Sequence, residues 1–143
     1  MTTILLIHLA ATWFMVGLIW LIQIVHYPLF AAVGPDGFAA YAERHRRRIS
    51  PVVIAPMLVE LVTGGILLKQ RPDGVDAWPV WTGAVLIAVV WLTTAFVSAP
   101  LHGRLAAAFD PALGRRLVAT NWIRTVAWSI RGVLTVVMVG MAS

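Results

Sequence analysis

The sequence contains no cysteine, and charged residues make up only 12% of its 143 residues. The absence of thiols excludes thiolate metal sites, thiol nucleophiles and a quinone-linked thiol oxidoreductase. A soluble domain of this length would carry roughly twice this charged fraction. No charged side chain precedes Asp36, and the first apolar run lacks a basic leader. At about 25 residues this run exceeds the roughly 7–15 residues of a signal-peptide core, so we do not expect it to be cleaved.

Hydrophobic residues make up 60% of the chain, and four long runs contain most of them. Each run is long enough to cross a bilayer, which takes about 20 mostly apolar residues. The runs cover residues 3–28, 49–68, 78–101 and 117–142. Their connections are too short for a separate soluble domain. The sequence therefore predicts an all-α fold with one integral membrane domain, residues 1–143, forming a four-transmembrane-helix bundle.

The basic residues favour one orientation of this bundle in the membrane. They concentrate in the first and third connections, at Arg44, Arg46, Arg47, Arg48, Arg104, Arg115 and Arg116. Positively charged loops stay in the cytoplasm. We therefore predict a multi-pass protein of a bacterial inner (plasma) membrane with both termini outside the cytoplasm. Anionic headgroups at the cytoplasmic face account for the net charge of +5, and nucleic-acid binding is not needed to explain it.

The first connection has the pattern of an amphipathic helix. Over residues 36–48, Phe38, Tyr41 and His45 align on one face, and the arginines occupy the other faces. This pattern is typical of a short helix that lies on a membrane surface. We therefore predict an interfacial helix between helices 1 and 2 that turns His45 toward the bundle.

Polar side chains within the apolar runs mark the candidate functional site, because ionisable groups are costly inside a bilayer. His26, His45 and His102 fall at the predicted inner boundary, whereas Glu60 lies about 15 Å deeper, with Arg131 at a comparable depth. The candidate residues are His8, Gln23, His26, His45, Glu60, Trp91, His102, Asn121, Arg124, Trp128 and Arg131.

The three inner histidines have two interpretations. Neutral imidazole is a common metal ligand, so His26, His45 and His102 could hold zinc, copper, iron or manganese, with Glu60 as a fourth ligand or as a catalytic base. Alternatively the histidines are structural residues of the interface, and Glu60 forms a buried ion pair with Arg131 or Arg124.

The remaining candidates suit a lipophilic ligand. Asn121 and Arg124 lie on adjacent turns and could act as catalytic residues that orient the polar end of a substrate. The predicted substrate-binding residues are Gln23, Trp91, Trp128 and Arg131. Plain packing is the alternative explanation for each tryptophan.

Four short motifs carry a family resemblance: HYP at 26–28, ELVTG at 60–64, PLHGRL at 100–105 and LVATNWIRT at 117–125. In these the chain resembles the anthrone-oxygenase-like membrane protein family. The resemblance implies a four-helix membrane fold and, from the fungal members, oxygenation of a polycyclic aromatic. A histidine early in the first helix also gives a fainter likeness to small membrane protoporphyrinogen oxidases. By that likeness His8 would bind haem, whereas its residue pattern favours a packed polar side chain.

These observations favour a membrane-embedded oxidoreductase or oxygenase that acts on a small lipophilic substrate. One alternative is a proton-linked transporter or a ligand-binding protein without catalysis, in which Glu60 and Arg131 would be a functional charge pair. Another is a structural subunit of a larger assembly. Gly83, Gly132 and Gly140 are candidate contacts for pairing between two copies of the chain.

Overall fold

The computed structural model describes residues 1–142 and has four long helical segments, which confirms the predicted all-α bundle. Ser143, the last residue of the predicted domain, lies outside the described residues. In chain order the elements are α1 (Thr2–Leu21), a π-helical turn (Ile22–His26), a 3-10 turn (Pro28–Ala32), α2 (Phe38–Lys69), α3 (Ala77–Thr93), a second π-helical turn (Thr94–Ser98), α4 (Ala99–Ala107) and α5 (Pro111–Met141). Four segments are long and apolar enough to cross a membrane, so the chain is a multi-pass membrane protein.

Each segment packs against two others. α1 lies between α2 and α5, and α3 also contacts both of these helices. Because the connections are short, consecutive segments run in opposite directions across the bundle. Large apolar side chains such as Phe96, Val62 and Val133 point outward and are 75%, 59% and 60% exposed. The surface therefore suits lipid, whereas the interior holds a glutamate and two arginines.

Glycines allow close approach at two contacts inside the bundle. A Cβ at Gly64 of α2 would lie 2.6 Å from Ile87 Cδ1 of α3 and 3.4 Å from His8 Cε1. A Cβ at Gly132 of α5 would lie 3.1 Å from Val16 Cγ2 of α1. Gly132, one of the glycines suggested for pairing between copies, thus packs within the chain.

A separate interfacial helix is not confirmed, because its residues are the first turns of α2. This helix has 32 residues and continues through Pro51 and Pro56. Pro51 removes one backbone donor, and the Ser50 hydroxyl donates to the Arg46 carbonyl at 2.6 Å one turn earlier. At ~1.5 Å per residue α2 is about 48 Å long, which exceeds the ~30 Å hydrocarbon core. One continuous helix can therefore cross the bilayer and carry the arginine-rich turns beyond it.

The two π-helical turns each come just before a proline. Tyr27 N donates to Ile22 O at 2.9 Å, and Ala99 N donates to Thr94 O, so each bond spans five residues. A proline ring clashes with the carbonyl four residues earlier in an α-helix. For Pro28 and Pro100 that carbonyl lies inside the π-helical turn, where the wider backbone gives it room. Such turns are frequent at functional sites, and both occur at the same end of this bundle.

Candidate functional site

The buried polar side chains form two groups at different depths. The middle cluster consists of His8, Thr12, Glu60, Thr63, Trp128 and Arg131. The inner cluster lies toward the arginine-rich end of α2 and consists of Gln23, His26, Tyr27, His45, Ser98, His102, Asn121, Arg124 and Thr125. All four membrane-spanning segments contribute to the inner cluster.

The middle cluster is built around the Glu60 carboxylate. Glu60 Oε1 accepts hydrogen bonds from Arg131 Nη2 and from Thr12 Oγ1, each at 2.7 Å. Glu60 Oε2 accepts from Trp128 Nε1 at 2.9 Å, and Arg131 Nη1 donates to the Gly83 carbonyl at 2.8 Å. The Glu60 and Arg131 side chains are 2% and 1% exposed. Of the two arginines considered from the sequence, Arg131 is therefore the one that pairs with Glu60.

His8 has a partner on α2 in the same cluster. Its Nδ1 lies 2.6 Å from Thr63 Oγ1, and that hydroxyl is also 2.6 Å from the Val59 carbonyl. A hydroxyl has one proton. If Thr63 donates it to Val59, the His8 Nδ1–H donates to Thr63. This arrangement agrees with the packed polar interpretation of His8, and haem ligation stays a prediction.

An amide network joins the first segment to α5 in the inner cluster. Gln23 Oε1 accepts from Asn121 Nδ2 at 2.8 Å and from Thr125 Oγ1 at 3.3 Å. Gln23 Nε2 donates to the Val118 carbonyl at 3.1 Å. Gln23 and Asn121 thus bind each other, although the sequence had suggested them as ligand-binding and catalytic residues.

The structure brings the three predicted histidines together around Phe30. His26 Nε2 and His45 Nδ1 are hydrogen-bonded at 2.8 Å, and the ring centroids of His45 and His102 are 5.6 Å apart. His102 Nε2 lies 2.8 Å from the Tyr27 hydroxyl, a partner that the sequence analysis missed. The Phe30 ring makes edge contacts with all three imidazoles. His45 Nε2 is buried, and within residues 1–142 it has no hydrogen-bond partner.

The predicted metal site is only partly assembled. In the part of the chain that the structure describes, no group of three or more histidine, cysteine, aspartate or glutamate side chains is arranged to hold a metal ion. His26 and His45 bond to each other, and His102 bonds to Tyr27. Both oxygens of Glu60 are used in the middle cluster, away from these rings. In this structure Glu60 hydrogen-bonds within the middle cluster, and metal binding by His26, His45, His102 and Glu60 stays a prediction.

Arg124 differs from Arg131 because its neighbours are neutral. Its Nη1 donates to Ser98 Oγ at 3.3 Å and to Asn121 Oδ1 at 3.2 Å, and its guanidinium carbon lies 5.2 Å from the Trp128 ring centroid. The residue is 4% exposed, and its Nε is buried without a partner among the described residues. Within residues 1–142 the ion pairs join Glu60 to Arg131, and Glu43 to Arg46 and Arg47. Arg124 is thus a buried cation without a carboxylate partner in this range.

A cavity of about 220 Å³ between α2 and α4 leads to Arg124. Aliphatic side chains, among them Ile22, Ile49 and Val53, line much of it. Its polar lining includes Tyr27, Arg46, Ser50, Ser98, His102 and Arg124. Ile54 and Gly103 belong to the lining and are exposed, so the cavity reaches the outer surface of the bundle between α2 and α4.

The predicted substrate-binding residues lie elsewhere. Gln23, Trp128 and Arg131 are buried in the hydrogen-bond networks described above. Trp91 lines a different cavity of about 200 Å³, next to Gly64 and Ile87.

Fold and site together define a small multi-pass membrane protein with a largely apolar cavity that has a polar end and opens at the side of the bundle. No protein-family model, curated protein or solved structure matches the chain. The resemblance to the anthrone-oxygenase-like family therefore stays a prediction.

Proposed function

We propose that this membrane protein is an oxidoreductase that binds a small lipophilic substrate in the cavity between α2 and α4. The observation that carries the proposal is the make-up of this cavity. Apolar side chains line its length, and the Tyr27–His102 pair and Arg124 lie at its polar end. Ligand sites typically combine a mostly apolar wall with a few convergent polar groups.

The size of the cavity supports a ligand that is only partly enclosed. Drug-sized ligands usually occupy pockets of roughly 300–1,000 Å³, and this cavity has about 220 Å³. The polar end of a substrate would fit beside His102 and Arg124, and the apolar remainder would extend between α2 and α4 into the lipid. Entry from the bilayer needs no passage through water.

The Tyr27–His102 pair supports acid–base chemistry on such a substrate. A neutral imidazole has one donor and one acceptor nitrogen, and a phenol can both donate and accept. A proton can therefore move between the substrate, the hydroxyl and the ring. The oxygenase class implied by the family resemblance needs such a base, because loss of a proton gives an electron-rich substrate anion that dioxygen can oxidise.

The test is dioxygen consumption by the full chain, purified in a neutral detergent and supplied with a dihydroxyanthrone. We expect consumption above the uncatalysed rate and a fall of about 100-fold or more in His102→Gln, the usual range for loss of a general acid–base group. Arg104→Gln, at an exposed position of the same helix, is the control and should keep the wild-type rate. A folded His102→Gln variant with full activity would exclude His102 as the base.

A further inference from the structure

α5 carries two buried arginines seven residues apart, and within residues 1–142 only one has a carboxylate partner. Arg131 forms an ion pair with Glu60. Arg124 contacts the hydroxyl of Ser98 and the amide of Asn121, and it also interacts with the Tyr27 hydroxyl. A buried charge without a counter-ion is costly. Within a membrane such a residue most often marks a functional site.

The donors of Arg124 are not fully used by the protein. A guanidinium presents five N–H donors in a planar fork that matches the two oxygens of a carboxylate. In Arg124 the Nη1 contacts are long, at 3.3 and 3.2 Å, and the Nε has no partner within residues 1–142. The Nε of Arg131 also lacks a partner there, so Arg124 differs from Arg131 in having no carboxylate partner in this range and in lining the cavity. The face of the Trp128 ring stabilises the cation without occupying these donors.

The charges along the cavity favour an anion. Arg124 and Arg46 both line the cavity, and no aspartate or glutamate of the described residues belongs to its lining. The Glu43 carboxylate forms ion pairs with both Arg46 and Arg47, so two positive charges share one negative charge at this end of α2. Positive charge along an apolar channel attracts ligands of the opposite sign.

We infer that the cavity binds its ligand as an anion, with an anionic oxygen head group held by Arg124 and an apolar body lying between α2 and α4. The inference rests on the proposed function and adds the charge class of the substrate. The same chemistry is offered by a free amphiphilic acid and by the headgroup of an anionic phospholipid. A free acid fits the limited volume beside Arg124 more closely.

The experiment compares two probes that differ in the head group. Full-length protein in maltoside micelles is titrated with laurate and with lauryl alcohol, and binding is followed by calorimetry and by the increase in thermal stability that ligand binding causes. We expect laurate to bind on the order of tenfold or more tighter than the alcohol, because hydrogen bonds to a charged group are the stronger ones. This comparison uses the wild-type chain alone, so it does not depend on the folding of a variant.

Two substitutions then assign the effect to a residue. Arg124→Gln should remove the preference for laurate, and Arg116→Gln, at an exposed position on the same helix, should leave it unchanged. A short-chain phosphatidylglycerol that displaces laurate would identify a lipid headgroup as the source of the anion, and failure to displace it would identify a free acid.

The outcomes separate the inference from the proposed function. If laurate and the alcohol bind equally well, the anion site is wrong and the lipophilic cavity stands. If neither probe binds, the inference is wrong, and the dioxygen-consumption assay decides on the proposed function independently. A laurate preference that survives in Arg124→Gln would place the anion elsewhere and overturn the role of Arg124.

Discussion

The middle and inner clusters share three membrane-spanning segments, yet they balance charge differently. In the middle cluster one carboxylate accepts three hydrogen bonds, from Arg131, Thr12 and Trp128. In the inner cluster Arg124 meets neutral oxygens, and a ring nitrogen of His45 has no partner in the described chain. In the middle cluster the buried arginine has a carboxylate partner, although its Nε lacks a hydrogen-bond partner among the described residues. In the inner cluster the buried arginine has no carboxylate partner within residues 1–142. Buried charge in a small bundle can thus hold helices together at one level and form a binding site at another.

The largest effect is expected from breaking the middle cluster. Glu60→Ala would leave Arg131 buried without a counter-ion, which typically costs 3–5 kcal/mol of the free energy of unfolding. Unfolding in mixed micelles with an increasing fraction of denaturing detergent measures this change. The control is Glu43→Gln at the exposed end of α2, for which we expect no measurable change. If Glu60→Ala and wild type have the same free energy of unfolding, the buried Glu60–Arg131 ion pair does not stabilise the bundle.

A smaller effect is expected when one hydrogen bond of the same cluster is removed. Thr12→Val keeps the shape of the side chain and removes the donor to Glu60 Oε1. Hydrogen bonds to charged groups contribute about 1.5–3 kcal/mol, so the loss should be below that of Glu60→Ala. The same micelle titration tests this order. If Thr12→Val lowered the free energy of unfolding more than Glu60→Ala, Thr12 would stabilise the bundle through packing with other residues.

The smallest change in stability is expected at Arg124. Arg124→Gln loses two long hydrogen bonds but also removes an uncompensated buried charge, so we expect the free energy of unfolding to stay within about 1 kcal/mol of wild type. Comparing the free energy of unfolding of Arg124→Gln with that of Arg131→Gln tests the contrast between the inner and middle clusters. A loss at Arg124 as large as that at Arg131 would indicate a structural role for both residues.

The predicted metal site can be tested by metal content, a measurement that does not depend on the free energy of unfolding. Elemental analysis of detergent-purified protein, prepared without chelators or affinity-tag metal, should give a lower metal content for His102→Ala than for wild type if the inner histidines are ligands. Thr12→Val belongs to the middle cluster and should retain the wild-type metal content. Full retention by His102→Ala would remove this residue from the site.

Helical periodicity predicted most of the buried faces. Asn121, Arg124, Trp128 and Arg131 share one face of the last run, and all are buried. The choice between Arg124 and Arg131 as partner of Glu60 stayed open, because both lie on that face within two turns. Residue spacing placed Arg131 at a depth comparable to that of Glu60. The choice also depends on how α2 and α5 are rotated toward each other, which sequence spacing does not give.

The role of Tyr27 could not be read from the sequence for a different reason. Before Pro28 it has the pattern of an ordinary helix end, and its hydroxyl partner His102 is 75 residues away. The contact follows a π-helical turn in each of the two segments, and neither turn has a distinct sequence signature apart from the nearby proline. A tyrosine directly before that proline, in a mostly apolar run, was the one available signal in the sequence.

The π-helical turns also set the rotational phase between the two halves of the bundle. A π-helical turn holds one residue more than an α-helical turn, and one α-helical residue corresponds to about 100° of rotation. Deletion of Ala95, an exposed residue of the second turn, would restore α-helical phase and rotate α4 relative to α3. Gly83, which contacts Arg131, lies before this turn, and His102 lies after it. A single-residue insertion or deletion at this turn can therefore change the direction of the inner-cluster side chains on α4. The Glu60–Arg131 ion pair and its contact with Gly83 would keep their positions.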